Sequence, residues 1–141
     1  MVCLGDLMAG ELRLVTEVAP SVNHAFFTAH NGMRILKKSA KEWVERTRAR
    51  AQEACDKQGW KMTTDEKLVV DIMTYWKDRR RHDVHNGAKV LLDALEGIVY
   101  KDDKMVLPRY IDFGLDRENP RLELVFRRFN PAVDRWEEYW G

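Results

Sequence analysis

The chain has 141 residues and a mass of 16.6 kDa, enough for one domain and too few for two ordinary ones. With 45% hydrophobic and 33% charged residues, the composition is that of a folded globule and excludes a disordered tail. Its 24 Lys plus Arg stand against 23 Asp plus Glu, a formal charge of +1, which argues against a uniformly basic nucleic-acid coat but not against charges sorted in space.

Glu11-Leu12-Arg13-Leu14-Val15-Thr16-Glu17-Val18 alternates polar and apolar residues and predicts a half-buried strand, broken by Pro20-Ser21-Val22-Asn23. Ser39-Ala40-Lys41-Glu42 has the spacing of a helix capping box. Trp43, Val44, Thr47, Ala51 and Ala54 then recur at helical spacing, with Arg46, Arg48 and Arg50 mostly on other faces, and Gly59 ends the helix. Lys67 to Trp76 is rich in Val, Ile, Met and aromatics, and reads as a strand buried on both faces. A second helix is expected from about Asn86 to Gly97, with Val90, Leu91, Leu92, Ala94 and Leu95 as its apolar stripe. Two extended segments follow, Arg109 to Phe113 and Arg121 to Phe129. This β-α-β-α-β-β order predicts an α/β (α+β) fold: a single small domain with one mixed sheet and two main helices packed on it. The domain core spans about 11–129, and 130–141 form a tail.

Tyr75, Trp76 and Phe129 are assigned to the core. In the tail, Trp136, Tyr139 and Trp140 would stripe one face of a short helix, either packing back on the sheet or meeting a second subunit or DNA bases. Cys3 and Cys55 form no CxxC and no zinc pattern with His24, His30, His82 and His85, so two free thiols of a reducing cytoplasm are expected. No apolar run approaches the roughly 18 residues of a membrane helix, and Met1 to Gly10 lacks the basic start of a signal peptide.

The chemistry concentrates in Lys77-Asp78-Arg79-Arg80-Arg81-His82-Asp83-Val84-His85-Asn86-Gly87-Ala88-Lys89 and in Lys101-Asp102-Asp103-Lys104. A helix from Asn86 to Glu96 is about 16 Å long, and the chain from Gly97 to Asp103 can run back about 20 Å. Asp103 can therefore return to the level of Asp83 if Ile98-Val99-Tyr100 runs antiparallel to the helix. Two carboxylates beside arginines suit a divalent ion next to phosphates, since Mg²⁺ keeps several waters and needs few protein oxygens. Arg79, Arg80 and Arg81 would hold neighbouring phosphates, and Lys89 lies one turn beyond Asn86 on the same helix face. Each feature also has a plain reading: Asp83 as a helix N-cap, the arginines as a solvated loop, Asp102-Asp103 as a turn and His85 as a surface histidine.

In these residues the sequence resembles the RusA family of Holliday-junction resolvases. The likeness lies in Arg79-Arg80-Arg81-His82-Asp83-Val84-His85-Asn86-Gly87-Ala88-Lys89, Leu92-Asp93-Ala94-Leu95-Glu96-Gly97, Asp102-Asp103 and Pro20-Ser21-Val22-Asn23. It spans about Glu11 to Phe129. The resemblance implies a homodimeric, metal-dependent endodeoxyribonuclease that makes paired symmetric nicks at four-way (Holliday) junctions in DNA recombination and repair, often of phage or prophage origin. It implies metal ligation by Asp83, Asp103 and the position of His85, an essential Lys89, and DNA contacts from Asn86, Lys89 and the arginines. His85 replaces the family's usual Asp. Imidazole favours Mn²⁺ over Mg²⁺, so the alternatives are direct ligation of a softer ion, a role through water, or a junction-binding protein with little cleavage. A small α/β enzyme acting on another phosphate ester is a third reading. Residues 34–89 carry 15 Lys or Arg against 9 Asp or Glu, a local +6, while the remainder sums to −5. The near-neutral total thus hides a basic segment suited to branched DNA.

Overall fold

The computed structural model describes residues 10–80 and 82–134. Its elements are β1 (Glu11–Thr16), α1 (Val22–Ala25), β2 (Phe26–Thr28), β3 (Arg34–Leu36), α2 (Lys38–Gln58), β4 (Leu68–Trp76), α3 (Ala88–Leu95), a 3₁₀ turn (Asp103–Met105), β5 (Val106–Leu115), β6 (Arg121–Arg128) and α4 (Pro131–Asp134). The expected small α+β domain, with two main helices on one mixed sheet, is the observed one.

The sheet order is β1-β6-β4-β5. β6 lies antiparallel to both β1 and β4, and β4 runs parallel to β5. The consecutive strands β5 and β6 are therefore not neighbours; β4 separates them. Parallel pairing requires a crossover, which α3 supplies between β4 and β5. Leu12 and Leu14 of β1, Leu68, Val70 and Ile72 of β4, and Leu122, Leu124 and Phe126 of β6 are buried at alternating positions. They pack with Trp43 and Ala51 of α2 and with Leu91 and Leu95 of α3 in one core. Each of the Leu, Val, Ile and Phe side chains contributes about 1.5–3 kcal/mol of burial.

Several local expectations need correction. Ser39 does not cap α2: the helix begins at Lys38, and Lys37 occupies the N-cap without a side-chain bond. The Lys37 amide instead donates to the Ala25 carbonyl at 2.7 Å, tying the helix start to the short β2–β3 hairpin. Gly59 does end α2, with φ +69° and its amide on the Cys55 carbonyl. The first strand stops at Thr16 rather than Val18. α3 begins at Ala88, two residues late, because residues 84–87 form a turn, and it ends at Leu95. Ile98 and Val99 are part of a tight turn, not an extended return strand; their amides both donate to the Leu95 carbonyl.

Tyr75, Trp76 and Phe129 lie outside the core because each covers a polar neighbour. The Arg121 guanidinium sits 4.0 Å over Tyr75, Lys67 sits 4.5 Å over Phe129, and Trp76 stacks on His82. On the sheet face away from the helices, Asp134 of α4 binds Arg127 through two bonds of 2.7 and 2.9 Å. That contact holds the Asp134 carboxyl far below its ordinary range. Cys55 is buried, which pushes its thiol up to about 11 and leaves it inert. Cys3 and the Trp136, Tyr139 and Trp140 stripe lie outside the described residues. Among the described residues, no helix is long and apolar enough to cross a membrane.

Candidate active site

The turn before α3 is built by Asp83. Its Oδ1 accepts the His85 amide at 3.0 Å and its carbonyl accepts the Asn86 amide at 3.3 Å. Asp83 is thus a turn former rather than the cap of α3, whose N-cap is Gly87. The Asn86 carbonyl receives the Val22 amide at 2.9 Å, so the loop carrying Pro20-Ser21 is strapped to the same turn. Gly87 makes the strap possible: a Cβ there would stand 2.9 Å from the Ala19 Cβ and 3.3 Å from its carbonyl oxygen. Neither atom belongs to a flexible side chain. Gly87→Ala is therefore expected to force the loops apart and cost about 1–3 kcal/mol, read as a lower midpoint in urea unfolding; an unchanged midpoint would show that the strap yields freely.

His85 is exposed and places its imidazole edge-on against Tyr110 of β5, with ring centroids 5.2 Å apart. Burial, and then the charge of Asp83, raise the Tyr110 phenol above its ordinary range. Asp83, His85 and Tyr110 therefore form one group at the start of α3.

A second group forms at the end of α3. Asp103, at the start of the 3₁₀ turn, donates its amide to Glu96 Oε1 at 2.8 Å. Carboxylate oxygens of Glu96, Asp102 and Asp103 lie within 4.8 Å of one another. Burial, a hydrogen bond with Asp93 and the charges of Glu96 and Asp93 push the Asp103 carboxyl up to about 6. The C-terminal end of a helix is itself negative, which adds to the crowding of charge. Arg48 relieves part of it from α2 by donating to the carbonyls of Ala94 and Glu96 at 2.8 and 2.7 Å.

Lys89 lies between the two groups. It is exposed and pairs with Asp93 at 3.4 Å, one turn along α3. Asp103 therefore has Asp93, Glu96 and Asp102 for company, while Asp83 and His85 keep to Tyr110 at the other end of a helix about 12 Å long. Asp93 and Glu96 escaped the sequence reading. Asp93 stands four residues beyond Lys89, the spacing of a helical ion pair, and that was the available signal. The clustered oxygens fit a hard divalent cation, whose preferred ligands they are.

Arg79 and Arg80 are exposed beyond the end of β4; Arg81 lies outside the described residues. Asp78 organises this loop, accepting the Arg80 amide at 3.1 Å and bonding His82 Nε2 at 2.9 Å. His82 in turn stacks flat on Trp76, with centroids 4.0 Å apart and planes within 7°. This stack was also missed; it depends on the loop folding back over its own strand.

A small mixed sheet with acidic residues at both ends of one helix, a lysine between them and arginines nearby is equipped to handle a phosphodiester beside a cation. Residues 16–126 match the family Endodeoxyribonuclease RusA, and the chain belongs to that family. Membership makes it an endodeoxyribonuclease by family. Among curated proteins, none matches.

Proposed function

We propose that the protein is a metal-dependent, structure-selective endodeoxyribonuclease that resolves four-way junctions by paired symmetric nicks in recombination and repair. The observation that carries this reading is the family match over residues 16–126 together with the carboxylates clustered at Glu96, Asp102 and Asp103, whose mutual repulsion a cation would relieve. The metal-ligating residues of the proposal fall in two groups, Asp83 and His85 at the start of α3 and Asp103 at its end, with Glu96 and Asp102 adding oxygens beside Asp103. A bound Mg²⁺ or Mn²⁺ supplies Lewis-acid polarisation of the phosphate and offsets the charge that develops on it. Lys89 places an ammonium against that phosphate once DNA competes with Asp93. Arg79, Arg80, Arg81 and Asn86 hold the strand through backbone contacts that carry little sequence information.

The working unit of the proposal is a homodimer, since two symmetric cuts need two sites. Its supporting feature is β5, the last strand of the sheet. Leu107, Ile111, Phe113 and Leu115 are 43–61% exposed along it, and no described strand pairs with its outer edge. An uncovered apolar edge is prone to pair with another strand, and a second copy presenting the same edge would close it.

The test is cleavage of a synthetic four-way junction and of linear duplex in Mg²⁺ and in Mn²⁺. The junction is expected to be cut at least about 100-fold faster, the size of effect a preorganised site gives. Mn²⁺ is expected to support the rate at least as well as Mg²⁺, and His85→Asp to shift the preference to Mg²⁺. Faster cleavage in Mg²⁺ that His85→Asp leaves unaltered would count against ligation by His85. Junction binding without cleavage in either ion would favour a non-catalytic junction binder, the reading that the His85–Tyr110 contact keeps open.

A further inference from the structure

We propose that the cleft bounded by β4, the turn before α3 and the Pro20-Ser21 loop takes up a single nucleobase lifted out of the DNA stack beside the cut, and that Thr74 reads its edge. This deepens the proposed nuclease function and rests on it. The cleft holds about 550 Å³, within the ordinary range for small-ligand sites. Thr74 lies on its floor, on the face of β4 that the helices cover farther back along the strand. Thr74 is 1% exposed, and its Oγ1 is the buried side-chain polar atom left without a hydrogen-bond partner among the described residues. A core position on a strand would accept valine with the same shape; a hydroxyl kept there unpaired loses its hydration for nothing unless a ligand satisfies it.

The walls specify the ligand further. Trp76 and Tyr110 bring aromatic surface, and Val84, Leu91 and Leu122 bring apolar surface. Ser21, His24, His82 and Asp83 add a polar border to these walls. A phosphate or a metal ion would use that border alone and leave the aromatic and apolar surface idle, and a wholly apolar group leaves the Thr74 hydroxyl unpaired. A flat heterocycle with apolar faces and a polar rim satisfies both, as extruded bases are held between aromatic and apolar side chains and read at their edges. Asp83 and Asn86 also border the cleft, so a base inside it belongs to a nucleotide next to the proposed scissile phosphate. Across the Trp76–His82 stack lies a second cleft, lined by Arg79 and Arg80 together with Phe113 and Leu115. The stack thus divides the cleft over Thr74, roomy enough for a base, from a basic one suited to the sugar-phosphate chain.

The experiment compares cleavage rates on a panel of four-way junctions that differ only in the base at each position flanking the cut. One position is expected to show a preference of five- to tenfold, about the discrimination one hydrogen bond to a base edge provides. An abasic residue there should be cut no faster than the worst base. Thr74→Val, which keeps the shape and removes the hydroxyl, should level the panel, and Thr74→Ser should retain it. An even panel for the unaltered protein, or a preference that survives Thr74→Val, would overturn the proposal; the abasic arm decides the matter on unaltered protein if the valine variant does not fold. A protein that neither binds nor cuts junctions in Mg²⁺ or Mn²⁺ would overturn the nuclease reading and this inference with it, whereas normal cutting with no base preference would remove this inference alone.

Discussion

Asp103→Asn is expected to lose junction cleavage by at least about 100-fold while melting a few degrees higher than the unaltered protein at neutral pH. The two effects have one source. Burial first, then a hydrogen bond with Asp93 and the charges of Glu96 and Asp93 at the negative end of α3, raise the Asp103 carboxyl from an ordinary 3.8 to about 6. Because the folded value exceeds the unfolded one, ionising Asp103 works against the fold. The penalty is absent below about pH 4, where both states are protonated, grows as pH rises towards 6 and is complete above that. Asparagine removes the penalty but also the charge a divalent ion needs. The cluster is only half-buried, and the water that reaches it screens the effect, so the gain is about 2–4 °C in melting temperature at pH 7 and close to none at pH 4. Thermal melts at the two pH values, in chelator, check the stability arm, and junction cleavage with gel-shift binding checks the other. A variant that cuts normally would remove Asp103 from the machinery; one that melts lower at pH 7 would show that its hydrogen bonds outweigh the repulsion.

The second large effect is on assembly. Leu107→Asp with Ile111→Asp is expected to give a particle of one chain's mass where the unaltered protein gives two. Junction affinity should fall by at least about 100-fold, because a monomer loses the gain from engaging two arms at once. These positions suit the test: both are exposed on β5, Ile111 stands at the irregularity in the β4–β5 register, and neither lines a described cleft. The monomer should keep its far-ultraviolet spectrum. A double variant that remains dimeric would move the interface off this edge. One that is monomeric yet binds junctions as before would show that a single chain suffices for recognition.

The strands that could be read along the chain were those whose alternation matched their burial. β6 alternates Leu122, Leu124 and Phe126 inward, and β1 does the same with Leu12 and Leu14. β5 was half read because the irregularity at Ile111 breaks its period, and β2 and β3 were missed because three residues hold no pattern. Ser39 misled because the start of α2 is set by a backbone bond from Lys37 to the hairpin, a tertiary contact that local spacing does not contain. At the proposed site, linear order named Asp83, Lys89 and Asp103, and the fold sets Asp83 and Asp103 at opposite ends of α3. Helical spacing could have added Asp93 and Glu96. Nothing linear marks Thr74, an ordinary strand residue until its hydroxyl is found buried and alone.

The pairing of β1 with β6 joins residue 11 to residue 127. Between them lie all the residues proposed for chemistry. As the chain is made, β1 has no sheet neighbour until β6 appears more than a hundred residues later, about 5–20 s at ordinary synthesis rates. β6 then enters between β1 and β4 and closes the sheet. Long-range pairings of this kind make closure late and slow. The floor beneath Asp83 and Thr74 is completed by Leu122, on β6 itself. A partly made chain therefore carries every acid and base of the site on an unfinished support, and its capacity to act on DNA arrives only with its last strand.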